Sequence, residues 1–285
     1  MTSTVLLNPQ DLETLIEREK VVIIDTRNPE SYATGHIPGA VNVHDIFTFL
    51  AKSTAEGIGE LKEKFAATFG GIGLSGEETA VIYEESMNTG FGQSCRGYFL
   101  LSYLGYPKVS ILHGGFQAWQ ATGMPVSTDV PDVQSSTFPL QDTGHELMID
   151  KDDILAALDD GKTVMLDVRD VDEWIGTSSS PYGKDFCPRK GRLPGARWIE
   201  WYRMMKPGVT ALFKSPEEIL AECHSVGIDQ DTPVYIYCFK GARAANTLVA
   251  LKAAGIKDVK LYFGSWNEWS RDESLPIEEG LPYAS

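Results

Sequence analysis

The chain has 285 residues, which is long for one compact domain and sufficient for two domains of ordinary size. Hydrophobic residues make up 42% of the sequence and charged residues 23%, so the composition predicts folded cores rather than disorder. The formal net charge of -15 argues against nucleic acid or an anionic membrane as the main partner. No stretch approaches the roughly 20 apolar residues that a membrane-spanning helix needs.

The chain begins with a predicted helix, for which Asn8 serves as the cap and Pro9 as the first residue. Leu12, Leu15 and Ile16 then give this segment one apolar face. The segment lacks the basic region and the long apolar core of a signal peptide. We therefore expect a helix at this position rather than a targeting sequence.

The four cysteines show no CxxC pair and no paired spacing of metal ligands. A chain of this length does not need disulfides to fold, so we expect reduced thiols in a cytoplasm. Cys95 and Cys223 fall in helical segments and are expected to be packed there, although Cys95 is also a possible displaced nucleophile. Cys187 is expected to be an exposed bystander, with a resolving role toward a modified Cys238 as the alternative.

The sequence repeats one pattern in its two halves. The run KVVIIDTR in the first half corresponds to KTVMLDVR in the second, and Pro-Gly-Ala follows each run. Further on, the apolar run of TAVIYEES corresponds to that of TPVYIYCF, and the residue after the last tyrosine of each run is Glu84 in the first and Cys238 in the second. A constant offset of 150 residues then relates Gly105, Gly114 and Trp119 to Gly255, Gly264 and Trp269. The register predicts a duplicated domain, with the polar segment 128–145 as the linker.

Short apolar strands alternate with helical segments in each half, which predicts α/β domains with a mostly parallel sheet. Val21 to Ile24 and Val164 to Leu166 are continuous apolar runs, as expected for strands that are buried on both faces. Ser215 is the predicted cap of a helix over 216–225. Ligands of such folds bind beyond the carboxyl ends of the strands, and Cys238 follows a predicted strand directly.

Cys238 is the candidate nucleophile, because a cationic turn and the start of a helix follow it in CFKGARAANT. Backbone N–H groups from Phe239 to Arg243 can converge on an anion, and Gly241 permits the tight turn. Lys240 and Arg243 add positive charge, which should favour the thiolate at neutral pH. The alternative is a small buried cysteine at a strand end.

Two cysteine chemistries fit a strand, a cysteine loop and a helix. Cysteine phosphatases use C-x5-R, in which the loop surrounds a tetrahedral phosphate. Cys238 and Arg243 are separated by four residues, so the loop is one residue shorter. The shorter loop suits a sulfur atom carried on the cysteine better than a bound phosphate.

The chain resembles the rhodanese (thiosulfate sulfurtransferase) superfamily in its tandem two-domain form. The resemblance is carried by YATGHIPGAVNV in the first half and by LDVRDVDEW, GRLPGA, CFKGAR and VKLYFGSWNEW in the second. It implies two tandem rhodanese-like α/β domains, an inactive N-terminal one over 1–127 and a catalytic one over 146–285. The inactive domain would help to close a cleft between the two.

The resemblance also implies the chemistry. Cys238 would take the outer sulfur of thiosulfate as a persulfide and pass it to cyanide, another thiophilic acceptor or a thiol protein, without a metal or organic cofactor. The loop of Phe239, Lys240, Gly241, Ala242 and Arg243 would bind the persulfide and the anionic donor. Thiosulfate-specific animal enzymes resemble CRKGVT at this loop, so Phe239 stands where they have a cation.

A second departure is Glu173, which occupies the position of a donor-binding arginine in the animal enzymes. The insertion 177–190 and the residues after it offer Arg189, Lys190 and Arg192 as replacements, with Arg192 as the candidate. Three other readings stay open: a 3-mercaptopyruvate sulfurtransferase, a small-anion or phosphoester hydrolase, and a persulfide carrier that turns over little free thiosulfate.

Overall fold

The computed structural model describes residues 5–141, 143 and 146–282, and the chain forms two compact units. The first unit comprises Met1–Phe49, Gly59–Gly144 and Met205–Phe213. The second unit comprises Leu50–Ile58, His145–Met204 and Lys214–Ser285. Each unit thus includes a short segment from the other half of the chain, which the sequence did not predict. The domain limits expected from the sequence stay predictions, and linker residues 142, 144 and 145 lie outside the described residues.

The described residues of the first half form five strands and six helices. The strands are β1 Leu6–Leu7, β2 Val21–Asp25, β3 Val41–Asn42, β4 Thr79–Tyr83 and β5 Val109–Leu112. The helices are α1 Pro9–Arg18, α2 Pro29–Thr34, α3 Asp45–Thr48, α4 Ala55–Gly71, α5 Gln93–Tyr103 and α6 Gly115–Ala121. Asn8 caps α1 as predicted, because its side chain accepts the Asp11 N–H and the Asp11 carboxylate accepts the Asn8 N–H.

The second half contains the corresponding elements and one additional strand pair. The strands are β6 Met148–Ile149, β7 Val164–Asp167, β8 Arg197–Trp198, β9 Met205–Lys206, β10 Leu212–Phe213, β11 Val234–Tyr237 and β12 Val259–Tyr262. The helices are α7 Lys151–Leu158, α8 Val171–Trp174, α9 Pro216–His224, α10 Ala242–Ala253 and α11 Ser265–Trp269. Ser215 caps α9 as predicted, in a capping box with Glu218.

Each unit is built on a five-stranded parallel sheet, and the two sheets have the same topology. The strand order is β1-β5-β4-β2-β3 in the first unit and β6-β12-β11-β7-β8 in the second. All residues of β7 are buried, as its continuous apolar run predicts. In β2 the run is only partly so, because Ile23 and Ile24 are buried but Val21 and Val22 are half-buried. The antiparallel pair β9–β10 belongs to the first unit, where the Phe213 N–H donates to His113 Nε2 at 2.8 Å. The predicted α/β fold with two similar parallel sheets is confirmed.

The duplication extends to single contacts outside the sheets. His36 forms an isolated antiparallel bridge with Ser127, and Arg192 forms the same bridge with Glu278. Arg192 therefore occupies in the second half the position that His36 has in the first. Among the described residues, none of the helices combines the length and the apolar character that crossing a membrane requires.

A buried ion pair closes the turn after the first long strand of each sheet. Arg169 binds Asp167 through its backbone N–H and its guanidinium, with Nη2 2.6 Å from Oδ2. Tyr237 donates its hydroxyl hydrogen to the same carboxylate at 2.7 Å. In the first unit Arg27 and Tyr83 bind Asp25 in the same way. The Asp-x-Arg motif thus fixes a strand end by hydrogen bonding, as its polar pattern predicts.

Replacement of Asp167 by alanine should destabilise the second unit strongly, because it leaves Arg169 buried without its carboxylate. Loss of one partner from a buried ion pair typically costs about 3 to 5 kcal/mol. Chemical denaturation of Asp167→Ala should show this loss in the free energy of unfolding. Asp231→Ala, which removes an exposed carboxylate paired with Lys257, serves as the control and should leave stability unchanged. Equal stability of the two variants would contradict a structural role of the buried pair.

Candidate active site

Cys238 lies directly after β11. Three residues separate it from Ala242, the first residue of α10. Its side chain is buried, and its sulfur accepts the Gly241 N–H at 3.1 Å. Gly241 caps α10 with φ of 86°, a left-handed conformation that favours glycine. A Cβ at this position would also approach Phe263 Cδ2 to 2.7 Å. The sulfur therefore faces the N-terminal end of a helix, as the spacing predicts, where backbone N–H groups favour negative charge.

The segment after β12 holds the backbone of Cys238 in place. The Cys238 N–H donates to Ser265 Oγ at 3.2 Å, and the Cys238 carbonyl accepts the Trp266 N–H at 3.0 Å. Ser265 has φ of 52°, which is rare for a residue with a side chain. The sequence analysis did not predict this supporting role of the segment GSWNEW. A glycine at this position would have indicated a positive φ, but a serine gives no such indication in the sequence.

Phe239, which the sequence left unexplained, is the buried base of an aromatic cluster. Its ring contacts Tyr182 and Phe186 edge-on, with centroid distances of 5.4 and 5.8 Å. Both partners belong to the insertion 177–190, which is unique to the second half. The Lys240 ammonium lies over the Tyr182 ring, 5.1 Å from its centroid. The insertion therefore packs on the cysteine loop.

Arg243 is bound to acidic side chains, which differs from the expectation that its charge serves a donor. Its Nη1 lies 2.6 Å from Glu173 Oε2, and its Nη2 lies 3.1 Å from Oε1. Asp170 Oδ2 lies 3.1 Å from the same Nη1. Burial alone would lower the pKa of Arg243, but the Glu173 carboxylate outweighs burial and raises it. The Glu173 carboxylate therefore compensates the charge of Arg243. Donor binding by Arg243 stays a prediction, and this geometry does not favour it.

Glu173 therefore has a partner inside the candidate site. Its position was noted in the sequence as a departure from the animal enzymes, but the pairing with Arg243 was not predicted. The two residues are 70 positions apart, and only the adjacency of β7 and β11 brings them together. The sequence offered one indication of this pair, because the acid Glu173 and the arginine Arg243 both occur among the residues expected at the site.

The other candidate cations have structural partners. Arg192 forms an ion pair with Glu278, donates to the Gly280 carbonyl at 2.9 Å and lies over the Trp174 ring. It lines a pocket of about 530 Å³ beside Trp198, and none of the residues from 238 to 243 lines that pocket. Arg189 donates to the carbonyls of four residues, which are Trp269, Ser270, Asp272 and Leu275. The assignment of donor binding to Arg192 therefore finds no support in its contacts.

Cys187 is buried, so the expectation of an exposed bystander is wrong. Its N–H donates to Ser179 Oγ at 2.9 Å inside the insertion, and burial raises the pKa of its thiol. Cys95 lies buried in α5 and Cys223 in α9, as their helical positions predict. Burial raises the pKa of Cys223 to about 11. Among the described residues, no group of three or more histidine, cysteine or acidic side chains could hold a metal ion.

The first unit shows what the equivalent position holds when the cysteine is absent. Phe116 N–H donates to the Glu84 carbonyl as Trp266 does to that of Cys238, so Glu84 is the structural counterpart of Cys238. The Glu84 carboxyl group accepts the Gln93 N–H at 3.1 Å and the Ser94 hydroxyl at 2.6 Å. The N-terminal end of α5 is thus filled by a side chain of the chain itself. Burial raises the pKa of Glu84 to about 7 despite these hydrogen bonds.

The next residue also differs between the units. Glu85 is the counterpart of Phe239, because Gln117 N–H and Asn267 N–H bind their respective carbonyls. In the first unit Arg27 Nη1 binds Glu85 at 3.0 Å. The corresponding Nη1 of Arg169 has no hydrogen-bond acceptor among the described residues. The Phe239 ring has therefore replaced a polar contact of the duplicated domain.

The site and the fold together define a class of protein. One α/β domain carries a cysteine loop at a helix N-terminus, and the duplicated domain has Glu84 at the position of that cysteine. The model of the rhodanese-like domain matches this chain twice, over residues 8–122 and 150–272. The chain belongs to the rhodanese family in its tandem form, as the sequence predicts.

Relatives with named functions support the same family. The sulfur carrier protein TtuD of Thermus thermophilus is 31% identical over 255 residues, which cover 87% of each chain. The thiosulfate sulfurtransferase of Azotobacter vinelandii is 28% identical over 273 residues, which cover 96% of each. Among solved structures, wild-type EanB has a TM-score of 0.81 at 25% identity, over 97% of this chain and 69% of that one. The chain therefore has sulfurtransferase relatives along nearly its whole length.

Replacement of Glu84 by glutamine should remove a pH dependence from the stability of the first unit. The raised pKa means that folding favours the protonated carboxyl group. The stability from this group is therefore complete below about pH 4.5 and is lost as pH rises through about 7. The free energy of unfolding of Glu84→Gln, relative to the wild type, should increase by about 3 kcal/mol from pH 4.5 to 8. Denaturation at several pH values measures this difference.

Glu78→Gln is the matched control, because the shift of Glu78 has the opposite sign. Burial opposes it, but hydrogen bonds from Ser75 lower the pKa of Glu78 below 4.5. The stability from Glu78 is present above about pH 4.5 and is lost as pH falls further. Its replacement should therefore alter the pH dependence only on the acid side. A pH-independent difference for Glu84→Gln would show that the carboxyl group is not held as described.

Proposed function

We propose that this protein is a thiosulfate sulfurtransferase that carries sulfur as a persulfide on Cys238. The observation that carries the proposal is the contact between Cys238 Sγ and the Gly241 N–H at the start of α10. A helix N-terminus stabilises negative charge on the sulfur atom that sits there. A thiolate and a terminal persulfide sulfur are both anions, so the same loop suits the resting enzyme and the intermediate.

The first unit supports this proposal from within the chain. Its equivalent helix N-terminus holds the oxygen atoms of Glu84, which accept N–H and hydroxyl hydrogens. The duplicated position thus accommodates an acceptor group in both units, an oxygen in one and a sulfur in the other. Glutamate cannot carry sulfane sulfur, so we assign catalysis to the second unit alone.

The proposed reaction has two half-reactions. The Cys238 thiolate attacks the outer sulfur of thiosulfate, the sulfur–sulfur bond of the donor breaks, and sulfite leaves with the bonding electron pair. Cyanide or another thiophile then attacks the outer sulfur of the persulfide. The sulfur–sulfur bond of the persulfide breaks, the acceptor leaves with the outer sulfur, and the Cys238 thiolate keeps the bonding electron pair. Both steps conserve the charge of the enzyme, so neither needs a metal or an organic cofactor.

The contacts of Arg243 speak against a phosphoester hydrolase. In the C-x5-R arrangement the arginine must offer its guanidinium to phosphate oxygens. Here the guanidinium is bound to Glu173 and Asp170, so it is not offered to phosphate oxygens as that arrangement requires. The spacing in the sequence and the ion pair in the structure thus favour sulfur over phosphate. Competition between thiosulfate and 3-mercaptopyruvate in steady-state kinetics separates the two possible sulfur donors.

A second candidate function is a persulfide carrier that receives sulfur from a protein partner in a cytoplasm. One observation favours it, since Glu173 and Asp170 compensate Arg243 and reduce the positive charge available to a dianionic donor. The relative named sulfur carrier protein TtuD agrees with it. A carrier would form the Cys238 persulfide in stoichiometric amount but turn over free thiosulfate slowly. Comparison of the single-turnover rate with kcat distinguishes the two functions.

Replacement of Cys238 by serine should abolish sulfur transfer without unfolding the protein. The hydroxyl group is close in size to the thiol but cannot form a persulfide. Intact mass after incubation with thiosulfate should show about one added sulfur atom on the wild type and none on Cys238→Ser. Cys95→Ser is the control, because that cysteine is buried in α5 of the other unit, and it should retain the added sulfur. Normal thiocyanate production by Cys238→Ser would exclude the proposal.

Replacement of Glu173 by glutamine should strengthen thiosulfate binding. The change removes one negative charge beside Arg243, while Asp170 still pairs with the guanidinium at 3.1 Å. We expect the KM for thiosulfate to fall about threefold or more, because a buried charge is weakly screened. Steady-state cyanide assays at low and moderate salt measure the effect. Asp231→Asn is the control for a surface charge; an equal effect of both variants would show that only the net charge matters.

A further inference from the structure

We propose that Tyr182 is a positioning residue, which acts on the sulfur donor through Lys240. This inference rests on the proposed function of the cysteine loop and adds a residue from the insertion to it. The Lys240 ammonium lies 5.1 Å from the centroid of the Tyr182 ring. An aromatic face attracts a cation at this distance through its quadrupole. The ring therefore fixes the position of a positive charge two residues after Cys238.

The ring is itself held by its aromatic neighbours. Tyr182 and Phe186 both pack edge-on against Phe239, and their own centroids are 5.7 Å apart. Phe239 is only 2% exposed, whereas Tyr182 and Phe186 are 51% and 48% exposed. Three rings in mutual contact limit the rotation of one another. Phe239 is thus the fixed base of the cluster, and Tyr182 presents its face to Lys240.

The insertion is anchored to the segment that also supports the nucleophile. Arg189 Nη2 donates to the Trp269 carbonyl at 2.7 Å, and Trp266 Nε1 donates to the Arg189 carbonyl at 3.3 Å. Trp266 also provides the N–H that binds the Cys238 carbonyl. The aromatic cluster and Cys238 are therefore tied to one short helix, α11. Their relative positions depend on few flexible bonds.

Fixing Lys240 matters because a lysine side chain is flexible and Arg243 is already compensated. An ordered lysine loses about 1.5 to 2 kcal/mol of rotamer entropy. If the ring orders Lys240 before the donor arrives, this cost does not reduce donor affinity. The positive charge can then bind the sulfonate oxygens of thiosulfate and stabilise the departing sulfite. Tyr182 thereby favours small anionic donors at a site where two carboxylates oppose them.

The test compares Tyr182→Leu, Tyr182→Phe, Lys240→Ala and the double variant Tyr182→Leu/Lys240→Ala. Tyr182→Phe retains the ring and should behave as the wild type. Tyr182→Leu should raise the KM for thiosulfate about two- to fivefold, which is the value of an exposed cation–π contact. The double variant should match Lys240→Ala alone, because Tyr182 acts through the ammonium. Additive effects in the double variant, or an impaired Tyr182→Phe, would overturn the proposal.

A second measurement does not depend on sulfur transfer. The ratio of alkylation rates of Cys238 by iodoacetate and by iodoacetamide reports the positive charge near the sulfur, because the thiol reactivity cancels. The ratio should fall about two- to fivefold in Tyr182→Leu and Lys240→Ala and stay unchanged in Tyr182→Phe. Equal ratios in all variants would overturn the positioning role. A wild type that gains no sulfur from thiosulfate but shows this pattern would reject the proposed function and retain only the positioning of the Lys240 charge by Tyr182.

Discussion

The structure of the candidate site depends on one constraint: the side chain at the end of a central strand must reach the N-terminal end of the next helix. Cysteine has a short side chain, and Gly241 therefore caps α10 only three residues after Cys238. Glutamate reaches further, and the first unit uses a longer loop, in which Gly92 precedes α5. Both loops end in a left-handed glycine, which lets the chain reverse direction above the strand. Loop length and side-chain length have thus changed together between the two copies.

Charge in the second unit is arranged in pairs rather than as an open cationic cradle. Arg169 is committed to Asp167 and Arg243 to Glu173, and both pairs are buried. Burying a guanidinium is unfavourable unless a carboxylate receives its hydrogen atoms with good geometry, and both pairs satisfy this condition in a bidentate manner. The Gly241 N–H at the start of α10 is therefore the electrostatic contact that the structure shows at the sulfur itself.

The sequence was informative where a local pattern determines structure and uninformative where distant segments meet. Apolar runs, caps and the repeat register predicted the strands β4 and β11, the capped helix α9 and the common topology, because these depend on periodicity within a few residues. The pairing of Glu173 with Arg243 could not be read in this way, since it requires the register between β7 and β11. The burial of Cys187 could not be predicted for the same reason. The insertion that contains it has no hydrophobic periodicity, so its sequence does not indicate the surface on which it packs. The residues after Cys238 made it the candidate nucleophile, which stays a prediction, and the departure at Glu173 directed attention to Arg192, whose contacts are structural.

Phe239 connects these observations. Its counterpart Glu85 binds the Arg27 guanidinium, so an acidic residue at 239 would satisfy Arg169 but would also place a negative charge next to Cys238. Such a charge would oppose a thiolate and an anionic donor alike. Phenylalanine removes that charge, leaves one guanidinium nitrogen of Arg169 without an acceptor among the described residues, and provides the surface on which Tyr182 and Phe186 pack. The polar contact that Glu85 makes in the first unit is thus replaced, in the second, by an aromatic contact that holds the insertion against the residue next to Cys238.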